Sequence, residues 1–248
     1  MIRNPIHRVL FSMRAHRVRV LLMGGQACVF YGAAEFSRDT DFAILADTNN
    51  LSRLRKALDE LQSRVVAVPP FELKYLTRGH AIHFRCHHPE TFGMRVDIMS
   101  KMRGVDTFPK LWRRRTTIEL PDGLKCDLLG LQDLVQAKKT QRDKDWPMIR
   151  RLVEAHYFQN RDAPNAVRIQ FWLRELRTPE LLIEVVRLNA PLDRRIVSKR
   201  PLLAEAISGN VGELERALRD EEADERERDK LYWLPLRKEL ERLRHSRH

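Results

Sequence analysis

The stretch that most constrains this chain is residues 18–45, VRVLLMGGQACVFYGAAEFSRDTDFAIL. Val18 to Met23 is short, apolar and partly β-branched, and glycines stop it, which predicts a buried strand. Gly24 and Gly25 have no Cβ, so the backbone there can turn sharply and approach a bound group closely. Gln26 to Tyr31 is helix-compatible, and the free N–H groups at such a start suit a phosphate. Thr40 to Leu45 predicts a second strand. Asp39 and Asp41 are two apart, so on a strand their side chains leave from one face. Two carboxylates held together repel, and a cation between them relieves the repulsion. Mg²⁺ suits the place, because it takes hard oxygen ligands and keeps positions for phosphate oxygens.

A third carboxylate stands out further on. Asp97 interrupts the apolar segment MRVDIM, where an unpartnered charge is costly to bury; the residues alone also allow an edge-strand Asp facing water or one paired with an arginine. Around these segments the pattern alternates between helix and strand. Pro5 to His16 and Leu51 to Ser63 have helical apolar spacing, with Asp47 to Asn50 able to cap the second. Arg64 to Val68, Ala81 to Cys86, Met94 to Met99, Thr116 to Leu120 and Lys125 to Leu128 read as strands. Phe108 to Arg115, FPKLWRRR, is a basic segment. It suits contact with nucleic acid by phosphate pairing and stacking, or a loop anchored by Leu111 and Trp112. His80, His83, Cys86, His87 and His88 match no zinc spacing.

Composition narrows the partners. Lys and Arg number 46 against 34 Asp and Glu, a net charge of +12, which favours an anionic partner such as nucleic acid or a triphosphate. Three widely spaced cysteines make no disulfide framework and fit a reducing compartment. No run approaches a membrane span and no leader pattern is visible, so the expected location is cytoplasmic.

Gly24-Gly25, thirteen intervening residues, then Asp39-Thr40-Asp41 ahead of an apolar run resemble the signature of the DNA polymerase β-like nucleotidyltransferase superfamily. Thr40 replaces an aliphatic residue and Ala43 is small; neither change removes a functional group. The resemblance, over about residues 15–155, implies an α/β (α+β) fold with a small mixed twisted sheet flanked by helices. It implies Asp39 and Asp41 as ligands of Mg²⁺ or Mn²⁺ on an NTP, ATP included. Asp97 would complete the metal site or take the acceptor hydroxyl's proton. Gly24, Gly25, Gln26, Ser37 and Arg38 would line the nucleotide.

Residues 131–152, LQDLVQAKKTQRDKDWPMIRRL, resemble a segment of the branch that includes AbiEii-type abortive-infection toxins. That likeness implies Lys138 at the nucleotide's phosphates, assisted by Arg142, and Asp145 in the active site. The residues alone also allow Lys138 as a surface lysine and Asp145 as a helix N-cap ahead of Pro147. After about residue 160 the pattern is helical and highly charged. Val211 to Arg242 suits one long helix or a pair bent at Pro235.

The expected division is therefore 1–158, a nucleotidyltransferase domain, and 159–248, a helical C-terminal region. The expected activity is metal-dependent transfer of an NMP group from an NTP to an acceptor hydroxyl, releasing pyrophosphate. RNA is the first acceptor, with a tRNA 3′ end as one form of it; a protein or a small molecule are alternatives. A non-catalytic nucleotide- or RNA-binding relative is the rival from another class. A toxin–antitoxin component, meeting an antitoxin or itself through the C-terminal helices, is compatible with the first of these readings.

Overall fold

A computed structural model describes residues 5–246, which form twelve α-helices, a short 3₁₀ helix (Pro89–Thr91) and seven strands in two compact units. The first unit runs through Ala137 and resumes at Tyr232; the second is Lys138–Leu231.

The first unit opens with α1 (Pro5–Ala15), which buries Ile6, Val9, Leu10 and Met13 along one stripe. β1 (Val20–Met23), α2 (Gly24–Phe30) and β2 (Asp39–Ile44) follow, in the order that the 18–45 stretch predicts. α3 (Thr48–Glu60) starts where the Asp47 carboxylate accepts from the Asn50 N–H at 2.7 Å. Then come β3 (Arg64–Val65), α4 (Leu73–Arg78), β4 (Ile82–Arg85), β5 (Arg95–Met99), α5 (Phe108–Arg113), β6 (Thr116–Glu119), β7 (Lys125–Leu128) and α6 (Leu131–Lys138).

The strands lie in the order β3-β4-β5-β2-β1-β7-β6. β2 with β5 and β1 with β7 are parallel, and the other neighbours are antiparallel, so the sheet is mixed as expected. β3 is shorter than the predicted Arg64 to Val68 because Pro69 and Pro70 follow, without the N–H donors a ladder needs. FPKLWRRR is helical over most of its length, with Pro109 in the first turn and Phe108 and Leu111 buried. Phe108 stacks on Trp112 one turn later, with ring centroids 5.6 Å apart.

The second unit is helical: α7 (Asp145–Asn160), α8 (Ala166–Glu175), α9 (Pro179–Leu188), α10 (Arg194–Lys199), α11 (Leu203–Ser208) and the part of α12 (Val211–His245) up to Leu231. α12 continues through Pro235 as one helix rather than a bent pair. Its charged run is laced by pairs such as Arg226–Glu222 at 2.6 Å and Lys230–Glu227 at 3.1 Å. Inside the unit, Arg200 donates to the Leu173 and Leu176 carbonyls, each at 2.9 Å, and with Arg177 it holds Glu221. Burial would raise the Glu221 carboxyl, but the two guanidiniums hold it below the ordinary range.

The compact units divide after Ala137, whereas the composition changes near residue 158. α7 explains the difference: its Tyr157 packs edge-on against Trp172 of α8, with centroids 5.1 Å apart, so its apolar face is spent among the later helices. Among the described residues, no helix is long and apolar enough to cross a membrane.

Candidate functional site

Parallel pairing of β2 with β5 sets Asp41 directly beside Asp97, and Asp39 beside Arg95. Side chains in register on adjacent strands share a face, and strand neighbours lie about 4.8 Å apart. Asp39, Asp41 and Asp97 therefore stand together on one face, as the sequence predicts, with Arg95 among them. The alternation enforces this register. Thr40, Phe42, Val96 and Ile98 point to the other face and are buried. A slip of one residue would exchange them for the carboxylates.

The Gly-Gly turn fits the same geometry. Gly24 has φ +66, and a Cβ built on it would lie 1.8 Å from Asp41 Oδ2. A Cβ on Gly25 would lie 2.7 Å from the Ser37 hydroxyl oxygen, which donates to the Asp39 carbonyl at 3.1 Å. The two glycines thus make room for the Asp-x-Asp strand and for Ser37. Gln26 is buried in the same turn, and its Oε1 has no partner among the described residues. Arg38 is exposed one residue before Asp39. α2 has only seven residues, so close backbone approach at Gly24 matters more here than a helix dipole.

Asp97 already has partners. Arg95 Nε donates to Asp97 Oδ1 at 2.8 Å, and Arg95 Nη2 lies 2.9 Å from His83 Nδ1. His83 Nδ1 is also 2.8 Å from Asp97 Oδ1. Unprotonated, that nitrogen accepts from Arg95; protonated, it donates to Asp97. The hydrogen bond to Asp97 raises the Arg95 pKa against its burial, and the charges of Asp39 and Asp41 add to the effect. Arg95 is thus a built-in counter-cation for three carboxylates.

As the side chains stand, no three His, Cys, Asp or Glu groups among the described residues are gathered to hold a metal ion. The donors still suit Mg²⁺ or Mn²⁺, being hard carboxylate oxygens on one face beside a turn that a Cβ would fill. Recruiting Asp97 requires it to turn from Arg95.

Lys138, Arg142 and Asp145 meet in the second unit. Lys138 Nζ donates to Asp145 Oδ1 at 2.9 Å, while Asp145 Oδ2 accepts from the Thr140 hydroxyl at 2.6 Å and Arg142 Nε at 2.7 Å. Burial would raise the Asp145 carboxyl, but the Lys138 ammonium, the Thr140 hydroxyl and the Arg142 guanidinium hold it low. Asp145 is not the N-cap of α7. Lys144 holds that position, and the Asp145 carboxylate is spent on its three partners. Lys138 is not a surface lysine either, since it is buried.

The remaining sequence candidates resolve separately. Arg114 is paired with Asp133 and Asp106, and Arg115 with Asp127 at 2.9 Å. Two of the three arginines of FPKLWRRR therefore have their charge met within the first unit. The histidines scatter: His80 is buried 2.9 Å from Glu239, and His88 Nδ1 accepts from the Glu90 N–H.

Sequence reasoning allowed Asp97 an arginine partner without naming Arg95, and missed the role of His83. The signal for Arg95 was its place two residues before Asp97, on the same strand face. His83 sits opposite Asp97 on β4, which only the strand pairing reveals. No protein-family model matches the chain, and no curated protein matches it significantly.

Proposed function

We propose that the chain is a divalent-metal-dependent nucleotidyltransferase that moves an NMP group from an NTP to an acceptor hydroxyl, with RNA as acceptor. The observation that carries this reading is the register of β2 against β5, which aligns Asp41 with Asp97 and leaves Asp39 on the same face, with Asp41 set against Gly24. Asp39 and Asp41 would hold the cation. Bound there, Mg²⁺ would neutralise charge on the triphosphate and on the oxygens of an in-line displacement. Gly24 lets the Asp41 carboxylate stand against the turn, and Ser37 and Arg38 would border the phosphates there. Asp97, once turned from Arg95, is placed to join the ligands or to accept the acceptor hydroxyl's proton. Lys138 reaches the triphosphate by resemblance alone. Its ammonium is already spent on Asp145, and the proposed reaction does not require it.

The test is incubation of the protein with Mg²⁺, each labelled NTP and total RNA, following label into RNA, protein or neither. Label in RNA that disappears in Asp39→Ala and Asp41→Ala is the expected result. Label in protein would change the acceptor. Retained turnover in Asp41→Ala would remove the carboxylates from the mechanism. The hold of Arg95 and His83 on Asp97 favours one rival, a nucleotide-binding relative without turnover. Mg²⁺-dependent NTP binding with no label on any acceptor would select it.

A further inference from the structure

The other face of the same sheet carries a second feature. Val20 and Phe42, which point away from the carboxylates, line a cavity of about 470 Å³ together with Leu10 and Met13 of α1. Its rim is cationic: Arg14, Arg17, Arg19, Arg53 and Lys125 all border it, and all are exposed. They come from four parts of the first unit. Arg14 is in the last turn of α1, Arg53 is on α3 and Lys125 opens β7. Arg17 and Arg19 are on the connection into β1. That connection is tightly made: the Arg17 N–H donates to the Arg14 carbonyl at 2.9 Å, and Arg53 Nη1 donates to the Arg17 carbonyl at 3.3 Å. Arg17 itself has φ 54, a left-handed conformation that side-chain-bearing residues seldom adopt.

The charge there is uncompensated. Among the described residues, no carboxylate ion-pairs with Arg14, Arg17, Arg19 or Arg53, while Lys125 has only Glu119 at 3.8 Å. The carboxylate lining the cavity, Asp127, is engaged by Arg115 and the Thr117 hydroxyl. By contrast Arg8, Arg95, Arg114, Arg177, Arg200 and Arg226 each meet a carboxylate. Four unpaired guanidiniums round one concavity repel one another until an anion joins them. Trp112 helps to hold one of them, since Arg19 lies 5.8 Å from its ring centroid.

We propose that this concavity binds the phosphate backbone of a single-stranded nucleic acid, at a site distinct from the carboxylate face. Guanidiniums suit phosphate oxygens, which they can engage bidentately. The cations stand exposed on a rim instead of enclosing a small ligand, which suits a chain passing through. They line a hollow, which admits a flexible strand and not the convex side of a duplex. Trp112 has Phe108 stacked on it and Arg115 beside it, so no free aromatic platform reads a base and binding is sequence-independent. The site does not depend on the nucleotidyltransferase reading, and Asp41→Ala leaves it unchanged.

The test is fluorescence anisotropy with the full chain and labelled 12-nucleotide single-stranded RNA and DNA over a range of salt. The fourfold variant Arg14→Gln, Arg17→Gly, Arg19→Gln and Arg53→Gln is compared with a control, Lys199→Gln, Arg216→Gln, Arg219→Gln and Lys230→Gln, that removes the same charge elsewhere. The expected result is at least a tenfold loss of affinity in the first variant. Its slope of log K against log salt should be shallower by about 2–3, at roughly 0.7 for each phosphate no longer neutralised. The control should stay within about twofold of wild type. Binding of either strand type supports the proposal. An equal loss in the control would show a net-charge effect and overturn it. So would displacement by inorganic triphosphate at concentrations as low as those of the oligonucleotide, or unchanged binding in the first variant. Should that variant fail to fold, Arg14→Gln with Arg53→Gln reads the same slope change at about half the size.

Discussion

Gly24 shows how much one missing carbon can decide. In Gly24→Ala the new Cβ would fall where Asp41 Oδ2 now sits, in a backbone conformation that alanine resists. We expect a stability loss of about 1–3 kcal/mol from the backbone strain. Label transfer should fall more than tenfold because the Asp41 carboxylate is displaced; near-normal turnover in a folded Gly24→Ala protein would contradict this. Arg95 gives a second prediction. Arg95→Met removes the cation shared by three carboxylates, so the metal-free protein should melt lower. Millimolar MgCl₂ should then raise its Tm by more than it raises that of wild type, and an equal rise would sink the idea. At this scale the carboxylates were legible because acids stand out against apolar strands. Arg95 was not, since an arginine two residues from an aspartate reads equally well as a solvated charge. Arg14, Arg17, Arg19 and Arg53 were invisible for a different reason: only the fold brings them round one hollow.

Among the elements, the turn from α6 into α7 depends on a buried ion pair. Lys138→Met leaves Asp145 buried with Thr140 and Arg142, and losing one hydrogen bond to a charged group costs about 1.5–3 kcal/mol, read as a lower Tm. The pH dependence follows from the same group. The Asp145 carboxyl is held below its ordinary value of 3.8, so its contribution is fully present above that pH. It is lost as pH falls through the lower folded value. The Tm difference between wild type and Asp145→Asn, measured from pH 7 downward, should stay constant and then narrow below about pH 3.8. A difference that narrows already near neutrality would assign the effect elsewhere. Elements with clear periodicity, such as α3, β2 and β5, were readable from their apolar spacing. α5 was not, because three consecutive arginines mask the Phe108–Trp112 spacing that makes it a helix. α10 escaped notice for want of apolar contacts: none of its residues is buried, and its one signal was Asp193, which accepts from the Arg195 N–H at 2.8 Å.

For the whole molecule, the order of parts along the chain differs from their grouping in space. Composition changes once, near residue 158, but the first unit closes with residues from Tyr232 onward. No local pattern announces that return, because α12 reads as one charged helix throughout. The returning segment is specific. Glu239 meets Arg78 and the buried His80, and Leu236 and Tyr232 lie so near Gly79 that a Cβ there would be 3.6 Å from each. A chain ending at Leu231 should therefore show faster amide exchange across residues 75–85, and Glu239→Ala should reproduce part of the effect. Unchanged exchange in both would mean the segment adds nothing to the first unit.

This arrangement sets a timetable for birth on the ribosome. Glu239, the partner of Arg78 and His80, is made only after all of 138–231, which takes roughly 5–20 s at ordinary elongation rates. Until then the nascent sheet lacks the segment that covers Gly79, and a chain released at Leu231 would carry every proposed ligand with its first unit left unfinished.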